Sequence, residues 1–167
     1  MESRSIVLGV DPGIATTGFG LVGEDAAGVY LVRYGVIQTP AHTPVPERLR
    51  QLYDEVCALL RTAGPAAVAV EELFFNRNVT TALTVGQARG VALLAAAQAG
   101  LPVYEYKPAE VKQALVGYGR ADKHQMQEMV RLMLGLADIP RPDDAADAVA
   151  VAICHLHSQR LRRLAEE

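Results

Sequence analysis

The chain has 167 residues, half of them apolar and about a fifth charged, which is enough apolar material for one packed domain and argues against general disorder. No uninterrupted apolar run, that from Val91 to Ala97 included, approaches the roughly 20 residues of a membrane span, and Met1-Glu2-Ser3-Arg4 is not a basic start leading into an apolar signal segment. The net charge of −3 argues at first against nucleic acid, yet residues 73–137 hold seven Lys and Arg against four acids, +3, leaving −6 on the remainder.

These features predict a cytoplasmic protein with a single domain over residues 1–158 and a charged, fraying tail at 159–167. Cys57 and Cys154 stand far apart and in no metal-ligand spacing, so they read as buried free thiols in a reducing compartment. The basic central third is compatible with phosphate contacts, and equally with ordinary surface charge.

Taken in order, Ser5 to Val10 is a short apolar run ending at the turn signal Asp11-Pro12-Gly13. Thr16 to Val22 and Val29 to Gln38 alternate as strands, which gives an antiparallel meander of three. Pro44 and Pro46 open a helical pattern through Leu49, Leu52, Val56, Leu59 and Leu60 that stops at Gly64-Pro65. Ala67 to Val70 is a fourth strand leading into Glu71-Glu72. Val79 to Ala99 reads as one helix, apolar almost all round, buried in the core or in a subunit interface. Leu101 to Tyr106 is a fifth strand, and Pro108 starts a helix that ends at Gly117-Tyr118-Gly119. Asp122 is an N-cap for the helix of Met126, Met129, Val130 and Met133, and a last helix runs from about Asp143 to Leu164. The order implies an α/β fold: a mixed five-stranded sheet, three antiparallel strands followed by parallel ones, with helices on both faces.

Four carboxylates stand at the ends of these elements. Asp11 ends the first strand, Glu71 ends the fourth, and Asp144 and Asp147 share one face at the start of the last helix. Gathered at one sheet edge, they would repel one another, raise their own pKa values and suit hard cations such as Mg²⁺ or Mn²⁺ rather than zinc. Each also has an ordinary explanation as a turn, a helix cap or a solvated strand end. Strand alternation lets only one of Glu71 and Glu72 join the cluster. Glu71 is the choice made here, though spacing alone does not decide it. His155 and His157 are two apart and cannot chelate one ion from a helix, so they and His124 read as structural or surface residues.

Asp11-Pro12-Gly13 with Thr17-Gly18-Phe19-Gly20, Val68-Ala69-Val70-Glu71, Gly86-Gln87-Ala88-Arg89-Gly90-Val91-Ala92, Val111-Lys112-Gln113 and Asp144-Ala145-Ala146-Asp147-Ala148 together resemble the RuvC family, bacterial Holliday-junction resolvases of the RNase H-like fold. The similarity keeps its order from about Ile6 to His157. It implies that Asp11, Glu71, Asp144 and Asp147 are the catalytic acids, holding two divalent metals, Mg²⁺ with Mn²⁺ as substitute, for phosphodiester cleavage that leaves a 5′-phosphate and a 3′-hydroxyl.

The resemblance further implies phosphate contacts by Lys112 and Lys123, whose ordinary reading is solvated helical lysine. Phe74 falls on an aromatic position expected to lie against unstacked bases at the crossover. Arg77 in the same loop is a candidate phosphate contact, and Phe75 is assigned to the core. The family resemblance places His155 on the helical face of Asp147 and Val151, where it could support a metal ligand. A homodimer, four-way junction DNA and the RuvA–RuvB branch-migration complex are the implied partners. Rival readings are a single-domain relative of the actin and heat-shock ATPase superfamily, another RNase H-like nuclease acting on RNA or branched DNA, and a non-catalytic junction-binding module.

Overall fold

The computed structural model describes residues 5–72 and 79–167, so Phe74, Phe75 and Arg77 lie outside the described residues. The elements are β1 (Ser5–Asp11), β2 (Thr16–Asp25), β3 (Gly28–Gln38), α1 (Val45–Ala63), β4 (Ala67–Glu71), α2 (Val79–Gln98), β5 (Val103–Tyr106), α3 (Pro108–Val116), α4 (Lys123–Leu134) and α5 (Asp143–Glu166). One five-stranded sheet has the order β3-β2-β1-β4-β5. Its first three strands are antiparallel, and β4 and β5 are added in parallel beside β1.

Strand alternation divides the core between two layers. Leu8, Val10, Phe19, Leu21, Val68 and Val70 pack under α1 and α2. On the other face, Val7, Val22, Ala69 and Tyr106 meet the α3, α4 and α5 layer. Helices therefore cover both faces, as the element order predicts. Local signals set the boundaries. α1 stops where Gly64 takes a left-handed conformation, φ 55°. α4 begins in a capping box, with Asp122 Oδ1 accepting from the Gln125 amide at 2.8 Å and Gln125 Oε1 accepting from the Asp122 amide at 2.9 Å.

Three findings depart from the sequence reading. α2 is buried only along Ala88, Ala92, Ala95 and Ala96, and its opposite side is open. Its 20 residues also meet the length and composition of a membrane span, because Thr, Gly and Ala interrupt apolar runs without making the helix polar. A core helix of a globular fold passes the same test, and the Arg89–Glu105 ion pair ties α2 to β5. Second, the chain does not leave the helical path after Ser158. α5 continues to Glu166, with Arg160 and Arg163 directed at Glu24 of β2 across 3.9 and 3.6 Å. Third, Cys57 is only half-buried, on the flank of α1, whereas Cys154 is buried. The burial of Cys154 pushes its thiol up to about 12.

Candidate active site

The site is built where β1 and β4 end side by side. Val10 pairs with Val70, so Asp11 and Glu71 follow at adjacent strand ends. Alternation turns both toward α5: Val7 and Ala69 face that layer, and Asp11 and Glu71 keep their phase. The same rule directs Glu72 elsewhere, and its amide donates to the Tyr106 carbonyl at 2.7 Å.

Asp144 and Asp147 reach the cluster because α5 lies unusually close to the sheet. Gly9, Gly18 and Gly20 provide the seat. Gly9 pairs with Gly20 and Gly18 pairs with Asp11 itself. A Cβ on Gly9 would overlap the Ala148 carbonyl, and one on Gly18 would overlap the Asp144 carbonyl. One on Gly20 would come within 2.6 Å of Val149 Cγ2. Ala145, Ala146, Ala148 and Ala152 keep the facing side of the helix equally bare. The resulting contact is close-packed, and it sets the height of the two helical carboxylates above Asp11.

The electrostatics record that crowding. Asp11 is pushed up to about 8, first by burial, then by the charge of Asp147, a hydrogen bond with Asp144, and the charges of Asp144 and Glu71. Glu71 is raised by burial and by Asp147, with Lys112 opposing. Asp147 is raised by burial and by Asp144 and Asp143, with Lys123 opposing. Carboxylates held together against their own repulsion form an oxygen-only donor set that fits a hard divalent cation. Among the described residues no group of three or more His, Cys, Asp or Glu side chains is already arranged to hold a metal ion.

Beside the carboxylates lies a cavity of about 310 Å³ lined by Glu71, Asp147, Lys112 and Lys123, with Val111 and Met126 among its apolar walls. Both lysines thus face the acidic edge from separate helices. Lys123 Nζ donates to Asp143 Oδ2 at 2.8 Å, while Gln127 Nε2 donates to Asp143 Oδ1 at 3.0 Å. Those bonds hold the Asp143 carboxyl below its ordinary range and raise the Lys123 ammonium. Asp143 stands in the first turn of α5. Its partner lies on the preceding helix, and only the packing of α4 on α5 brings them together.

His155 also has a specific place. It is 1% exposed, its Nδ1 lies 2.6 Å from the Tyr106 hydroxyl, and its ring lies 4.4 Å from that of Tyr104. Burial drives its pKa down to about 4, so the ring is neutral. Tyr106 is the β5 residue paired with Glu71, so His155 braces that strand end from the α5 side.

Comparison with known proteins places this arrangement in a group. The family model for Crossover junction endodeoxyribonuclease RuvC matches residues 7–155. A protein of that name from Desulfitobacterium hafniense is 62% identical over 156 residues, covering 93% of this chain and 94% of its own. Another, from Chloroflexus aggregans, is 65% identical over 151 residues, covering 90% and 92%. Among solved structures, T. thermophilus RuvC in complex with Holliday junction substrate superposes with a TM-score of 0.90 at 43% identity, covering 95% of this chain and 96% of that one.

Proposed function

The chain belongs to the RuvC family of crossover junction endodeoxyribonucleases, and from that premise we propose that it resolves four-way DNA junctions by paired, symmetric nicks in homologous recombination and repair. The observation that carries the chemistry is the carboxylate edge, where Asp11, Glu71, Asp144 and Asp147 converge with too little positive charge to balance them. Those four side chains would hold two Mg²⁺ ions, or Mn²⁺, which when bound supply charge to activate water and to stabilise the departing 3′-oxygen. The products are a 5′-phosphate and a 3′-hydroxyl.

The protein's own groups do the positioning. Asp11 and Glu71 stand on rigid strand ends, and Asp144 and Asp147 on a helix pressed against the sheet, so the carboxylates keep their spacing through the reaction. Lys112 and Lys123 lie on the cavity side and pair with phosphates flanking the cut, the role in which their positive charge is most useful. Lys123 is held ready by Asp143 and Gln127 and exchanges that carboxylate for a phosphate when DNA arrives. Phe74 and Arg77 follow Glu71 in sequence and contact the opened crossover.

Two such sites in a homodimer account for paired cuts of matching polarity. The open side of α2 is the surface assigned to that contact. The same reading makes the protein a cytoplasmic partner of the RuvA–RuvB branch-migration complex.

The deciding experiment is cleavage of a labelled synthetic four-way junction beside linear duplex of the same sequence, in Mg²⁺ and in EDTA. Paired, metal-dependent, ligatable nicks confined to the junction are expected. Binding without cutting in either Mg²⁺ or Mn²⁺ would replace the nuclease with a junction-binding module.

A further inference from the structure

The loop between α3 and α4, residues 117–122, joins the two helices that carry Lys112 and Lys123. α3 ends where Gly117 turns into the left-handed region, φ 90°. The chain then folds back along its own helix: a Cβ built on Gly119 would lie 3.6 Å from the Ala109 Cβ. Ala109 is in the first turn of α3, beside Pro108, Val111 and Lys112, which line the cavity with Glu71 and Asp147. Ala121, 2% exposed, then pins the return, and the Asp122 capping box fixes the start of α4.

The loop backbone is thus held at Gly119, Ala121 and Asp122, yet two large side chains point away from it. Tyr118 is 45% exposed, and Arg120 is exposed with no ion pair or hydrogen bond among the described residues. An aromatic and an unpaired guanidinium flank Gly119, which lies against Ala109 of α3, the neighbour of the cavity-lining Pro108. Several other arginines are matched, Arg89 by Glu105, Arg131 by Glu128, and Arg160 and Arg163 by Glu24, whereas Arg61 and Arg141 are exposed without such a partner among the described residues but do not share a loop with an exposed aromatic at this place in the fold.

Resting on the junction-nuclease reading, we propose that Tyr118 and Arg120 form a second grip on DNA outside the cavity, taking the sugar–phosphate backbone of the arm adjoining the cut. Arg120 pairs with a phosphate. The Tyr118 ring lies against the neighbouring deoxyribose while its hydroxyl donates to a phosphate oxygen. A backbone already held in place loses little entropy on binding, so even two contacts add affinity. The grip reads no base edge and positions any sequence alike.

The test is equilibrium binding of the full chain to a fluorescent four-way junction in EDTA, so that no strand is cut, across a series of salt concentrations. Arg120→Ala is expected to weaken binding several-fold and to lower the salt slope by about 0.9, the value for one lost phosphate contact, while Arg120→Lys keeps the slope. Tyr118→Ala is expected to weaken binding several-fold with the slope unchanged, because a neutral hydroxyl releases no counterion, and Tyr118→Phe recovers part of the loss through the ring. An unchanged affinity and slope in Arg120→Ala, or wild-type binding in Tyr118→Ala, overturns the proposal. Failure of the wild-type chain to prefer the junction over linear duplex overturns the reading beneath it as well.

Discussion

Asp11 is held with its pKa near 8 by burial and by three neighbouring carboxylates, so the site is costly to the fold that contains it. A carboxyl whose folded pKa lies above its unfolded value stabilises the fold fully below the unfolded pKa, near 3.8, and loses that contribution as pH rises toward about 8. Asp11→Asn removes the titration. In EDTA it should raise stability by on the order of 1–3 kcal/mol near pH 8, several degrees in Tm, with the gain shrinking toward pH 4. The same variant should keep junction binding and lose on the order of 10³-fold in cleavage rate. Melting curves across pH, paired with single-turnover cleavage, check both halves, and an active Asp11→Asn enzyme would end the assignment. His155 works with the opposite sign. Its folded pKa, about 4, lies below the ordinary 6.5, so the stability it contributes is present above pH 6.5 and lost as pH falls toward 4. The loss should be on the order of 3 kcal/mol, measured as urea unfolding at each pH. His155→Gln should flatten that window even if it lowers the plateau.

At the scale of elements, the contact between α5 and the glycine face of β1 and β2 decides where the carboxylates stand. Gly18→Ala places a methyl group on the Asp144 carbonyl and must lift the first turn of α5. A displacement near 1 Å is enough to lose about 10²-fold in rate, with on the order of 1–3 kcal/mol of stability lost to overpacking. Gly20→Ala meets Val149 Cγ2 at 2.6 Å and also the Val149 Cα and N at 2.8 and 2.9 Å, so the helix must shift there too and the double change with Val149→Ala should recover no more than a small part of the lost cleavage rate. Full recovery in the double variant would sink this account of the seat. The elements themselves were largely legible in the sequence: Pro44 and Gly64 bound α1, Asp122 caps α4, and the alternation through Ala69 turns Glu71 to the α5 face. The seat was visible only as Gly9, Gly18 and Gly20 in alternation, since a glycine's neighbour across the core is a property of the fold. The Lys123–Asp143 pair was not legible for the same reason: the two partners stand on different helices. The last helix was legible to about Leu164, whereas the expectation that residues 159–167 fray rested on charge alone, and charge in sequence does not show that Glu24 stands opposite Arg160 and Arg163.

For the whole molecule, the open side of α2 is the surface on which the proposed dimer, and with it paired cutting, depends. The sequence showed a helix apolar almost all round, but periodicity cannot tell a buried helix from one that waits for a partner. The structure separates the two faces: alanines pack inward, while Val79, Leu83 and Leu94 are 77%, 63% and 52% exposed on the outer side. Gly86 and Gly90 lie on open ground, where a Cβ would meet nothing within 4 Å, so a second helix can approach closely there. A charge introduced at the centre of such a contact and repeated by symmetry is destabilising twice over. Leu83→Glu with Leu94→Glu should therefore shift the protein from dimer to monomer in sedimentation velocity, with its carboxylate edge untouched on the far layer of the sheet. The functional consequence follows from geometry. A supercoiled plasmid bearing a cruciform is linearised only when both strands are cut before the first nick relaxes the cruciform away. The dimer should yield linear product, whereas the double variant should yield nicked circles, with the linear-to-nicked ratio lower by at least about tenfold. A double variant that remained dimeric, or a monomer that still linearised the plasmid, would place the pairing of the two cuts somewhere other than α2.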